Sequence, residues 1–127
     1  MNNLISLKKV SKSFSNNRKI PVLKKINYSF SKGKVYSVMG PSGSGKSTLL
    51  NILSMIDKPS NGSLFINNNE INFSKTEEND KIRSKKIGII YQQNNLLTDF
   101  TALENVYLAS LALIDDKKKS VESAKRL

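Results

Sequence analysis

Gly40-Pro41-Ser42-Gly43-Ser44-Gly45-Lys46-Ser47-Thr48 fits the pattern G-x-x-x-x-G-K-[ST], and its flanks decide how it is read. Before it, Val35, Tyr36, Val38 and Met39 form a short apolar run of the kind that makes a buried strand, entered through a turn at Gly33-Lys34. After it, Leu49, Leu50, Ile52, Leu53 and Ile56 recur at helical spacing on one face, so a helix is expected from about Lys46. A glycine-rich turn between a strand and an amphipathic helix is a phosphate-binding loop. The competing reading, a flexible Gly/Ser linker, does not account for either flank.

The residue types suit that chemistry. Gly40, Gly43 and Gly45 give the backbone the freedom to turn successive N–H groups toward an anion at a helix N-terminus. Lys46 brings a positive charge to the β- and γ-phosphates. The Ser47 hydroxyl is a hard oxygen ligand for Mg²⁺, a cation that takes few protein ligands and leaves the rest to phosphate and water.

The 127 residues amount to one domain or part of a larger one. Lys and Arg number 21 against 10 Asp and Glu, a net charge of +11, and no acidic residue precedes Asp57. Such a basic half suits nucleic acid, an anionic membrane surface, or a nucleotide site with a solvated basic face. The lysines are scattered through strand-like and turn segments without interleaved aromatics, which favours the last two and leaves no specific nucleic acid expected. With no Cys there is no disulfide framework or Cys metal site; with no His, the commonest general base and metal ligand is missing. The N-terminus is interrupted too early by Lys8 and Lys9 for a signal peptide, and the apolar run at 108–114 is too short to span a bilayer. A soluble, cytoplasmic chain is expected, membrane-associated only through a partner.

Taken in order, residues 4–14 and 22–30 read as strands, with a loop at Ser15-Asn16-Asn17 and Pro21 between them. Phe14 on the first is either a core aromatic or a ligand-stacking one. Beyond the first helix, a turn cluster at 57–62 leads to a strand at Leu64-Phe65-Ile66 and a turn at Asn67-Asn68-Asn69. Ser74 with Glu77 forms a capping box opening a polar helix to about Lys85, and Ile87, Ile89, Ile90 and Tyr91 predict a second buried strand, ending at Gln92. Thr101 with Glu104 predicts another capping box and an apolar helix through Ile114. Residues 115–119 read as a charged loop, and 120–127 as the opening of a further helix.

These features, in this order, resemble the N-terminal half of an ABC transporter ATP-binding domain, over 4–127. Phe14 in Val10-Ser11-Lys12-Ser13-Phe14 resembles the aromatic that stacks on adenine, and Gly40 to Thr48 resembles the Walker A loop. Gln92 in Gly88-Ile89-Ile90-Tyr91-Gln92 resembles the Q-loop glutamine, which in the family ligates Mg²⁺ and couples the ATP site to the membrane subunits. Residues 96–106 are most similar to the lipoprotein-releasing (LolD-like) group and its relatives in macrolide export and cell division, with Thr98 where that group carries Pro.

The resemblance implies an α/β P-loop NTPase fold with an antiparallel β subdomain: a β subdomain and nucleotide core over 1–95 and the start of a helical subdomain over 96–127. It implies ATP and Mg²⁺ as cofactors, bound by Phe14, Gly40, Pro41, Ser42, Gly43, Ser44, Gly45, Lys46, Ser47, Thr48 and Gln92, with Ser47 and Gln92 on the metal. Transmembrane permease subunits and a second ATP-binding subunit are the implied partners, and lipoprotein release or export the implied transport, at the inner face of the plasma membrane. No residue resembles the signature loop, the Walker B carboxylates or the switch histidine, so the chain is expected to be truncated before them, with no catalytic residue and no hydrolysis of its own. A different P-loop kinase, a nucleic-acid-associated ABC module and an inactive remnant are the alternatives.

Overall fold

The computed structural model describes residues 3–16, 18–114 and 116–127. They fall into two compact units, Met1–Asn79 and Asp80–Leu127.

The first unit is built on an antiparallel sheet in the order β2-β1-β3-β4. Its strands are β1 (Asn3–Asn16), β2 (Arg18–Ser31), β3 (Asn61–Ile66) and β4 (Asn69–Glu70). The expected pair of N-terminal strands is therefore present as one long hairpin. Its patterning is not simple alternation: Leu7 and Val10 are both buried although Lys8 and Lys9 between them are exposed. A bulge explains this, because Lys9 takes a left-handed φ of 50° and the register slips between Leu7 and Val10. Leu23-Lys24-Lys25-Ile26 repeats the device on β2, with Lys25 at φ 46°. Side chains hold both bulges: Asn27 Oδ1 accepts from Lys9 N at 2.9 Å, and Ser11 Oγ accepts from Lys25 N at 2.9 Å.

The buried face carries Leu7, Val10, Leu23, Leu64 and Ile66, and the core also takes in Ile52 and Met55. Ile52 belongs to α1 (Lys46–Leu53), which forms where the helical spacing after the loop predicts it. β3 appears as expected, and its turn is a two-residue hairpin with Asn67 and Asn68 both left-handed, a conformation Asn tolerates.

Five expectations need correction. Ser15, Asn16 and Pro21 lie in the strands and not in a loop, while Asn17 is outside the described residues; Pro21 faces Ser13 on an edge strand, beside a register slip, where a missing donor is tolerated. Residues 35–39 and 87–91 are irregular and not strands among the described residues, and they are not buried: Val35 and Ile90 are fully exposed. A strand exists only when its N–H and C=O groups find a ladder, and neither segment pairs with any of β1 to β4. Ser74 does not cap α2 (Thr76–Lys86). Asn72 organises that entrance, its Oδ1 accepting from Ser74 N at 3.0 Å and its carbonyl from Lys75 N and from Asn79 Nδ2. Finally, Lys117-Lys118-Lys119 are helical: α4 (Lys117–Ala124) starts at an Asp116 cap whose carboxylate accepts from Lys119 N at 3.2 Å. The expected break at Asp115 lies outside the described residues.

In the second unit, α3 (Ala102–Ile114) packs against α4. The Thr101 capping box forms as expected: Glu104 Oε2 accepts from Thr101 N at 2.8 Å, and Thr101 Oγ1 accepts from Glu104 N at 3.3 Å. The backbone N–H of Thr101 holds the Glu104 carboxyl below the usual range. None of the described helices is long and apolar enough to cross a membrane.

Candidate nucleotide site

The glycine-rich loop opens directly into α1. Gly45 is the helix N-cap, at φ 90°, and no side chain caps the first turn. The helical ladder begins with Leu49 N donating to Gly45 O at 2.9 Å, so the N–H groups of Lys46, Ser47 and Thr48 have no acceptor among the described residues. The first turn carries no acidic residue either, which leaves the positive end of the helix dipole uncompensated. Together these make a place for an anion.

Local packing explains why the third glycine is needed. A Cβ at Gly45 would stand 3.0 Å from both the Val22 and Leu23 side chains and 3.3 Å from the Val22 carbonyl. The loop is thus seated on β2, and a side chain at 45 would press on Val22 and Leu23, besides straining the left-handed backbone. Ser42 and Gly43 sit in a turn closed by Ser44 N donating to Pro41 O at 3.3 Å. Lys46 folds back along this turn, its ammonium donating to Gly40 O and Pro41 O at 2.8 Å each. An ammonium has three donors, so one remains for a phosphate oxygen. Ser47 is exposed and Thr48 half-buried.

The approach to the loop is braced by Tyr36, whose hydroxyl accepts from Ser31 N at 2.8 Å. Its ring meets Phe30 and Tyr28 edge-on, with centroids 5.0 and 6.0 Å away. Residues 35–39, lacking a ladder, are tied to the end of β2 through the Tyr36 side chain. That backbone hydrogen bond also lowers the Tyr36 pKa.

Phe14 lies near the end of β1 and is 45% exposed, so it is an aromatic face presented to solvent and not a core ring. Three residues that sequence reasoning missed, Lys12, Asp57 and Ser60, fasten its strand to the turn after α1, and Lys12 also meets the ring. Lys12, nearly buried on the same strand, places its ammonium 5.1 Å from the Phe14 centroid while donating to Asp57 Oδ1 at 2.6 Å and to Lys58 O at 2.8 Å. Ser60 Oγ accepts from Ser13 N at 3.1 Å, and Ser60 N donates to Ser11 O at 2.8 Å. One signal was available: Asp57 is the first acid in a long basic stretch. Phe14 and Gly40 to Thr48 therefore belong to one unit, whereas Gln92 lies in the second, exposed in a bend after Tyr91. No group of three or more acidic or other metal-ligating side chains occurs among the described residues. A divalent ion would accordingly depend on phosphate oxygens, with the Ser47 hydroxyl as a hard ligand beside them.

The family model described as ABC transporter matches residues 23–127. The chain belongs to the ABC transporter family. The lipoprotein-releasing system ATP-binding protein LolD of Rickettsia bellii is 42% identical over 127 aligned residues, covering 99% of this chain and 55% of the relative. An uncharacterized ABC transporter ATP-binding protein of Methanocaldococcus jannaschii, MJ0796, is 46% identical over 106 residues, or 83% of this chain and 45% of that one. The solved MJ0796 cassette, a dimeric post-hydrolysis state bound to ADP and Pi, superposes with a TM-score of 0.84 at 39% identity, covering 96% of this chain and 54% of that structure. This ABC chain thus spans about half the length of the relatives it matches. The fold is the α/β ABC ATPase core with its antiparallel sheet, as expected from the sequence.

Proposed function

We propose that these residues form the nucleotide-binding part of an ABC ATPase that powers lipoprotein release or export. The observation that carries this reading is the uncapped N-terminus of α1, with Lys46 folded along the loop and a donor to spare. Lys46 and the N–H groups of Lys46, Ser47 and Thr48 would bind the β- and γ-phosphates, the Ser47 hydroxyl would be a ligand for Mg²⁺ and Phe14 would stack on adenine, while the metal-ligand role is proposed for Gln92 on the family resemblance alone. Mg²⁺ supplies charge neutralisation on the phosphates when bound; the chain's own residues bind and orient. None of Phe14, the loop residues or Gln92 is a base for the attacking water, so ATP binding without turnover is the expected behaviour of these residues alone. The proposed organisation is a β subdomain and nucleotide core over 1–95, with 96–127 beginning the helical subdomain.

Partners are proposed on the same basis. Leu96, Leu97 and Phe100 are exposed within one short loop, a surface suited to a transmembrane permease subunit, and a second ATP-binding subunit would complete a pair. The relatives named for lipoprotein release favour that transport over macrolide export or cell division.

Phe14→Ala is the test of the base contact. Stacking of a base on an aromatic is worth roughly 1–3 kcal/mol, so ATP affinity should fall about fivefold or more while inorganic triphosphate binds unchanged. Phe14→Tyr should be nearly silent. Equal losses for both ligands in calorimetry would return Phe14 to a structural role.

A further inference from the structure

We infer that Lys12, through Asp57, is a positioning residue that sets the Phe14 ring for the nucleotide base; this rests on the nucleotide reading of the site. Four observations converge. Lys12 is a lysine whose side chain is only 11% exposed, an unusual place for an ammonium unless it is held. It is held by two acceptors from the turn after α1, the Asp57 carboxylate and the Lys58 carbonyl. It stands against the face of Phe14, the exposed aromatic two residues along the same strand. Finally, it pairs across the hairpin with Leu23, the side chain on which Gly45 of the loop rests.

The consequence is a clamp on both ends of α1. At the N-terminal end Gly45 sits on Val22 and Leu23 of β2; at the other, the turn at 57–60 is fastened to β1 by Lys12 and Ser60. The ring that meets the base and the loop that meets the phosphates are thereby referred to the same hairpin. An ammonium against an aromatic face also restricts the ring to orientations that keep the contact. A lysine serving only to neutralise Asp57 would not need to lie over Phe14, and one serving only to pack would not need two polar acceptors.

The experiment uses the whole 127-residue chain, with Lys12→Met to keep the length and remove the charge, Lys12→Arg as the conservative variant, and Asp57→Asn to loosen the pair without emptying the site. Magnesium ATP and magnesium triphosphate are titrated by calorimetry. Lys12→Met is expected to weaken ATP roughly five- to tenfold and leave triphosphate unchanged, with Asp57→Asn intermediate and Lys12→Arg close to wild type. The loss should vanish when Phe14 is already alanine. A second readout needs no nucleotide: the chain has no tryptophan, so Phe14→Trp supplies a unique tryptophan, excited selectively beyond tyrosine absorption, whose anisotropy should drop when Lys12→Met is added and recover with Lys12→Arg. Equal loss of ATP and triphosphate, or a tryptophan indifferent to Lys12, would overturn the positioning role. A wild-type chain that binds neither ligand while the tryptophan responds to Lys12 would instead overturn the nucleotide reading and leave the ring restraint standing.

Discussion

Lys46→Ala is expected to abolish measurable ATP binding by this chain while leaving its fold intact. The Nζ atom now donates to Gly40 O and Pro41 O, and its third donor and its charge are what a triphosphate would meet. Charge-assisted hydrogen bonds of this kind are worth about 1.5–3 kcal/mol each, so losing the cation costs on the order of a hundredfold in affinity. The loop surrounding it is exposed, and its own backbone bonds, Ser44 N to Pro41 O and Leu49 N to Gly45 O, survive the substitution. The melting temperature should therefore move little. Calorimetric affinity matching wild type would remove the loop from the binding account, whereas a lost fold would mean that Lys46 is chiefly a brace for residues 40–46.

Gly62→Ala should have the largest effect on stability. Gly62 has φ 85°, and a Cβ there would stand 2.3 Å from the Lys9 carbonyl oxygen, 2.5 Å from its carbon and 2.6 Å from the Lys8 carbonyl oxygen. These are backbone atoms of the β1 bulge, which cannot swing aside as a side chain end could. Relieving the clash means separating β1 from β3 next to the buried Leu7, Val10 and Leu64. Left-handed strain and lost packing together cost about 3 kcal/mol or more, a large part of the stability of a small domain. Urea unfolding should show a lowered midpoint or no cooperative transition. An unchanged midpoint would mean that the β1–β3 contact at the bulge contributes nothing to holding the sheet.

What could be read from the sequence, and what could not, divides by the range of the forces involved. The start of α1, β3 and the Thr101 capping box are specified within a few residues, and they appear as read; the two N-terminal strands appear too, but run through the residues read as their loop. The apolar runs at 35–39 and 87–91 carry the same local signal as a strand, but strand identity depends on a ladder supplied from elsewhere in the chain. Ser74 and Glu77 satisfy the capping pattern as letters, yet Asn72 reaches the free N–H of Ser74 first. For the site, the glycine loop was legible because its chemistry is compressed into nine residues. Lys12 was not: among many lysines nothing local marks the buried one, and its partner Asp57 is 45 residues away. The bulges at Lys9 and Lys25 were not legible either, since the pattern of a regular strand does not anticipate an extra residue.

The most direct test of the nucleotide account is amide NMR of the 127-residue chain titrated with magnesium ATP. The prediction is that the first signals to shift are Gly43, Gly45, Lys46, Ser47 and Thr48, with Phe14 ring resonances moving upfield as adenine stacks on them and the Lys8, Lys9 and Lys25 amides unmoved. Shifts centred on those three lysines, with the loop amides and Phe14 silent, would show that the chain meets ATP only as a basic surface and would contradict the account.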